Sequence, residues 1–285
     1  MSIESLVSRQ NADGGFPYSR GRSWTEPTVF AVLALLAEGE TEGAARGIRW
    51  LAGQQREDGG WAPQAGVDQS TWVTALVALL SPERLGSKVH SRAIEWLLRV
   101  KGEESTFTYR VREKLLGNVR PADQAFVGWP WMPGNASWVG PTAASVLALG
   151  KELRRKESAQ VRERLEEGRR FLLVRTCEEG GWNHGAVRSL GFRWHPYPET
   201  TGIALAALHG VKSPLLARSV TVAKEFLRGC RSADAVNWLR LGLLAHGELP
   251  ADYCLSPEIA FRTLPEASLQ LLVSAAQSGR DVFWV

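Results

Sequence analysis

The chain has 285 residues, 44% hydrophobic and 22% charged, which excludes a disordered segment and suffices to bury a sizeable core. Its 34 basic against 30 acidic residues leave a formal charge of only +4. No Lys/Arg block tracks a phosphate backbone, so nucleic acid is excluded as a partner. Twelve Trp and 28 Gly stand out and need a reason.

Three cysteines, Cys177, Cys230 and Cys254, are far apart and odd in number. They make no disulfide framework, and a reducing, cytoplasmic setting is expected. The start MSIESLVSRQ lacks a basic stretch followed by an apolar run, so no signal peptide is read there. No window approaches the ~18 uninterrupted apolar residues of a spanning helix. Peripheral contact with a membrane surface stays open.

In chain order, a helix is expected over 2–9, then the turn QNADGGF, then an almost wholly apolar helix over 27–38. An amphipathic helix over 42–55 follows, then QREDGGW and a second apolar helix over 70–80. After another amphipathic helix over 88–101, an insertion at about 102–127 carries the amphipathic stretch YRVREKLLGNV. A degenerate turn, GWPW, leads to the apolar helix 140–150 and the amphipathic helix 159–175. The turn CEEGGW and a second insertion at about 183–198 precede the apolar helix 199–209. The remaining elements alternate without the turn: 214–229, 233–246, 256–263 and 265–278.

Apolar helices are inner and amphipathic ones outer, because a helix that is apolar all round must be buried. Six inner/outer pairs built from helix–DGG turn–helix units, with atypical last units, point to an all-α chain closed into an α/α toroid. The whole of 1–285 is read as one such domain. The turn residues read as structural. Paired Gly permits positive φ, Asp13 and Asp58 cap nearby N–H groups, and the closing aromatics pack.

Other aromatics fall off those repeat positions. Trp24, Trp72, Trp131, Trp138, Trp194 and Tyr197 gather, with Trp129, in the loops and first turns of the inner helices, which form one mouth of the ring. They and His195 are the candidate substrate-binding residues, and aromatic walls suit an apolar ligand or a carbocation.

The Gln-x-x-Asp-Gly-Gly-Trp/Phe turns between alternating helices resemble the QW-type repeats of squalene–hopene cyclases, class II diterpene cyclases and protein prenyltransferase β-subunits. The resemblance covers residues 1–210 by motif and the rest by helix spacing. It implies a toroid with a central cavity, and a proton-initiated reaction on an apolar isoprenoid-type molecule. In the cyclases an Asp-x-Asp-Asp-Thr motif supplies the acid. Aligned on its Thr, that motif falls on Trp24–Thr28, with Glu26 at the central Asp. Glu199 takes the same place in the fourth unit, Asp68 the first-Asp place in the second, and Gly140 stands in the third. Glu26, Glu199 and Asp68 are therefore the candidate catalytic residues, although no copy of the motif is intact. The zinc-binding Asp, Cys and His of the prenyltransferases are not matched, and no metal or other cofactor is expected.

A lone Glu in an apolar cavity is neutral but weakly acidic, a poor donor to an alkene and a serviceable one to an oxygen. Three readings follow: a small terpene-cyclase-like enzyme, a non-catalytic isoprenoid- or lipid-binding protein, and a carbohydrate-active enzyme using Glu26 and Glu199 as acid and base. Against all three, Glu26 is also what a helix dipole favours in any first turn.

Overall fold

The computed structural model describes residues 2–115, 126–185, 188–189, 192–250, 253–256 and 258–280. Among the described residues there are six inner helices: α2 (Thr25–Ala37), α4 (Val73–Val77), α8 (Val139–Arg155), α10 (Pro198–Ala207), α12 (Ala233–Ala245) and α13 (Leu264–Gln277). Each packs on the next in that order, and α13 returns to pack on α2, so the ring is closed. Outside it lie α1 (Ile3–Val7), α3 (Thr41–Gly53), α6 (Ser87–Arg99), α9 (Ala159–Val174) and α11 (Pro214–Gly229). The fold is the expected α/α toroid. Two short elements join units: α5 (Pro82–Leu85) and, in the first insertion, α7 (Phe107–Leu115). The rest of the YRVREKLLGNV stretch, after Leu115, lies outside the described residues. In the second insertion Arg188–Ser189 (β1) and Phe192–Arg193 (β2) form a two-rung antiparallel ribbon.

The expected outer helix over 256–263 is a correction: the described residues there are irregular. That segment instead runs against the first unit. Leu264 N–H donates to the Tyr18 carbonyl at 2.6 Å, and Ser19 O–H donates to the Arg262 carbonyl at 3.1 Å.

The repeated turn is held by bonds that require each of its letters. Gln55 Nε2 donates to the carbonyls of Gly59 and Val89, joining the turn to the next outer helix. Asp58 accepts from Gly60 N–H, Ser70 O–H and the Trp96 indole. Gly59 has φ of +90°, and a Cβ there would lie 2.7 Å from the Arg92 carbonyl oxygen, so only glycine fits. The buried Trp61 donates its indole N–H to the Leu51 carbonyl at 2.7 Å, satisfying the last turn of α3. Gln10, Asp13 and Gly14 repeat the pattern in the first unit. Trp129 and Trp182 repeat the indole bond in the third and fourth.

A threonine closes each of the first four units. Thr28, Thr74, Thr142 and Thr201 each accept the backbone N–H of the turn aromatic, at 2.8–3.0 Å. These four bonds define which positions of the inner helices are equivalent. Ser81 before Pro82 is extended, which ends the second inner helix early. α4 itself ends at Val77, and 78–80 continue as turns, so the helix does not reach the expected residue 80.

Candidate functional site

The inner helices start at one mouth of the ring, and four carry a carboxylate in the first turn: Glu26, Glu199, Asp234 and Glu266. These carboxylates converge closely enough to act on one another. Asp234 is pushed from 3.8 up to about 7, first by burial and then by the charges of Glu26, Glu199 and Glu266. The Trp238 side chain hydrogen-bonds Asp234 and partly offsets the rise. Burial also raises Glu26, against a hydrogen bond that the Tyr18 hydroxyl donates to its Oε2. Tyr18 is itself pushed well above the ordinary phenol range by burial and by Glu26. Two acids are thus biased toward the neutral form in one small volume, although each sits at a helix N-terminus that favours the anion.

The other two carboxylates differ. Glu266 is spent on structure: its Oε2 accepts from the Arg262 and Thr263 N–H groups, completing a capping box with Thr263. Glu199 is half-buried, with His184 Nε2 3.3 Å from its Oε1. His184 in turn stacks at a tilt on Tyr197, ring centres 5.0 Å apart. One turn below the carboxylates Phe30 meets Trp238 edge-to-face at 6.1 Å across the ring.

The loop aromatics divide into groups around the mouth. Tyr18 and Trp24 meet edge-to-face at 5.4 Å, and Trp72 and Trp131 do so at 5.0 Å. Trp138, Trp194, Tyr197 and Tyr109 line a cavity of about 480 Å³ that His184 also borders. Backbone bonds link the starts of the first three inner helices to the following unit: Thr25 to Pro63, Trp72 to Trp131 and Val139 to His184.

Two expected residues lie elsewhere. Asp68 is exposed and does not contribute to the field at Asp234 or Glu26. The threonine bonds place Trp72, two residues before Thr74, where Glu26 stands before Thr28. The second unit therefore carries a Trp at the acid position, and Asp68 falls on the preceding loop. His195 is 87% exposed and pairs with Glu179, 2.7 Å away. The histidine at the site is His184, which the sequence presents only as a loop residue. Asp234 was legible only as the first-turn acid of a helix with no DGG turn before it, and Tyr18 carried no signal. Among the described residues no group of three or more His, Cys, Asp or Glu side chains is placed to hold a metal. No helix among them is long and apolar enough to cross a membrane.

No protein-family model and no curated protein sequence matches the chain. Solved structures do. The GH76A α-1,6-mannanase of Salegentibacter sp. HEL1_6, as an inactive variant with α-1,6-mannotriose, aligns over 97% of this chain and 98% of its own, at 8% identity and TM-score 0.66. A GH8 endo-β-1,4-glucanase from an Achatina fulica gut metagenomic library aligns over 98% of each chain, at 18% identity and TM-score 0.59. The type II terpene cyclase MstE from Scytonema aligns over 95% of this chain and 77% of its own, at 19% identity and TM-score 0.54. At these identities the likeness shows the fold, an α/α toroid shared by glycosidases and a terpene cyclase, and leaves the reaction open.

Proposed function

We propose that the chain is an acid/base enzyme that starts its reaction by protonating an oxygen of an isoprenoid-type substrate, cyclising or isomerising it at the aromatic mouth of the toroid. The observation that carries this is Asp234, raised to about 7 beside a raised Glu26. An acid in that range holds its proton at neutral pH and can deliver it to an epoxide or allylic oxygen, which is far more basic than a bare alkene. Asp234 and Glu26 are the donor pair, with Tyr18 holding Glu26 in place. Glu199, oriented by His184, is the group placed to take a proton back as the carbocation collapses. Trp24, Trp72, Trp131, Trp138, Trp194 and Tyr197 supply π-faces for the cation.

A second reading is glycoside hydrolysis, with the same pair as general acid and Glu199 as base. The glucanase and mannanase of similar shape favour it. One experiment separates the readings: incubate wild type, Glu26→Gln and Asp234→Asn with farnesol, farnesyl diphosphate, an oxidosqualene, β-1,4-glucan and α-1,6-mannan. Products are followed by mass spectrometry and reducing-end release. New isoprenoid products, reduced at least ~100-fold in both variants, support the proposal. Release of sugar ends supports the second reading. Isoprenoid binding without turnover by any of the three proteins makes this a binding protein and overturns both.

A further inference from the structure

The two insertions that break the repeat meet at one cavity. The first supplies Tyr109, the second His184, Trp194 and Tyr197, and Trp138 comes from the start of α8. The cavity holds about 480 Å³, within the roughly 300–1,000 Å³ of small-molecule sites. Insertions on a repeat scaffold gather on the face that binds. Backbone bonds hold these walls in place. Ser137 N–H donates to the buried Glu104 carboxylate at 3.2–3.3 Å. Val139 N–H donates to the His184 carbonyl at 2.9 Å, and Tyr197 N–H to the Trp182 carbonyl at 2.8 Å.

The rings here differ from the structural tryptophans in what their polar atoms do. Trp61, Trp129 and Trp182 donate to backbone carbonyls, and Trp50 and Trp96 to Asp13 and Asp58. Among the described residues, no group accepts from the Trp138 or Trp194 indole or bonds the Tyr109 or Tyr197 hydroxyl. Trp138, Trp194 and Tyr197 are 37%, 47% and 42% exposed, so apolar ring and polar tip are presented together. That pairing selects a ligand. An aliphatic chain covers ring faces but meets no polar tip, and a small anion makes no use of the faces. A pyranose has C–H bonds on its faces, which pack on the negative face of an aromatic ring. Its edge carries hydroxyls, which exchange hydrogen bonds with indole, phenol and imidazole. Neither Glu26 nor Asp234 borders the cavity, whereas His184, the partner of Glu199, does. The cavity therefore stands beside the reacting groups.

We propose that this cavity binds a pyranose ring, so that the substrate brought to the acids is a glycoside. The inference rests on the acid/base reading of the mouth and names the hydroxylated part of its substrate. The test is isothermal titration calorimetry of the full chain with the methyl pyranosides of glucose, mannose, galactose and xylose, and with cyclohexylmethanol. At least one pyranoside is expected to bind one to one, at least tenfold tighter than cyclohexylmethanol. Affinity for it should fall at least tenfold in Trp194→Ala and about threefold in Tyr109→Phe, with folding checked by circular dichroism. Geranyl β-glucopyranoside and cellobiose separate the two sources of the ring. A gain over methyl glucoside with the first marks an isoprenoid glycoside, and with the second an oligosaccharide. Glu26→Gln and Asp234→Asn should bind the pyranoside as wild type. Lost turnover in those two variants and lost binding in Trp194→Ala thus report separately on the reaction and on the cavity. The proposal is overturned if no pyranoside binds saturably, or if cyclohexylmethanol binds equally well. It is also overturned by unchanged affinity in both cavity variants, or by loss of binding in the acid variants, which would put the sugar on the acids instead.

Discussion

Replacing Asp234 by Asn should stabilise the protein, and by an amount that depends on pH. In the folded chain Asp234 keeps its proton to about pH 7, where an ordinary aspartate loses it near 3.8. Folding therefore favours the neutral acid. That contribution is complete below about pH 3.8 and is lost as the pH climbs through about 7. The displacement is about three pH units, and at about 1.36 kcal/mol for each the upper bound is about 4 kcal/mol. Partial solvation of the mouth lowers this, so about 2 kcal/mol is the working figure. Asn is neutral throughout and its amide oxygen still accepts the Trp238 bond. The variant should thus match wild type at pH 4 and exceed it by about 2 kcal/mol at pH 8.5. Urea denaturation across that range, followed by far-UV circular dichroism, reads the difference directly. A gap that does not vary with pH, or a variant less stable than wild type at pH 8.5, would refute the convergence of carboxylates argued above. A residue that lowers stability while serving the chemistry is the expected trade at an active site.

Other outcomes follow from the same structure. Turnover should fall above about pH 7 with the slope of one proton, because the donor is then ionised; a rate that rises through that range contradicts Asp234 as donor. Trp182→Phe removes an indole bond to the Leu172 carbonyl at 2.6 Å in a fully buried position. It should cost about 1–3 kcal/mol in denaturant titration, while Phe at the exposed Trp194 should cost almost nothing. Gly202→Ala should be worse: a Cβ there would lie 2.3 Å from the Trp238 backbone, where α10 and α12 cross. A loss of about 3 kcal/mol or more is expected, since backbone cannot step aside as a side chain can.

Much of the site was half visible in the chain. Glu26 and Glu199 could be paired because both precede a repeated Thr by two residues, and the aromatics because they avoid the turn positions. Asp68 is expected at the first-Asp place of the second unit, not at the place of Glu26. The Thr74 bond to Trp61 sets the register, which puts Trp72 at the place of Glu26 and Asp68 on the preceding loop. His184 and Tyr18 belong to irregular loops, where spacing carries no direction. The sixth outer helix was inferred from alternation alone; the described residues there are irregular and are tied to the first unit by the Ser19–Arg262 and Leu264–Tyr18 bonds.

What the sequence determined by itself is local and repeated. Gln, Asp, paired Gly, Trp and Thr recur because each satisfies a bond or a φ angle within one unit and its neighbour. The pattern is therefore written along the chain and can be read there. Closure is different: alternating inner and outer helices can also stack as an open solenoid, and it is the packing of α13 on α2 that closes the ring. The tertiary structure alone decided which acids meet. Glu26, Glu199, Asp234 and Glu266 come from four units spread over most of the chain. Whether any of them holds a proton at neutral pH depends on how much water they lose and on the charges facing them. Those are properties of the assembled mouth, and no residue carries them singly.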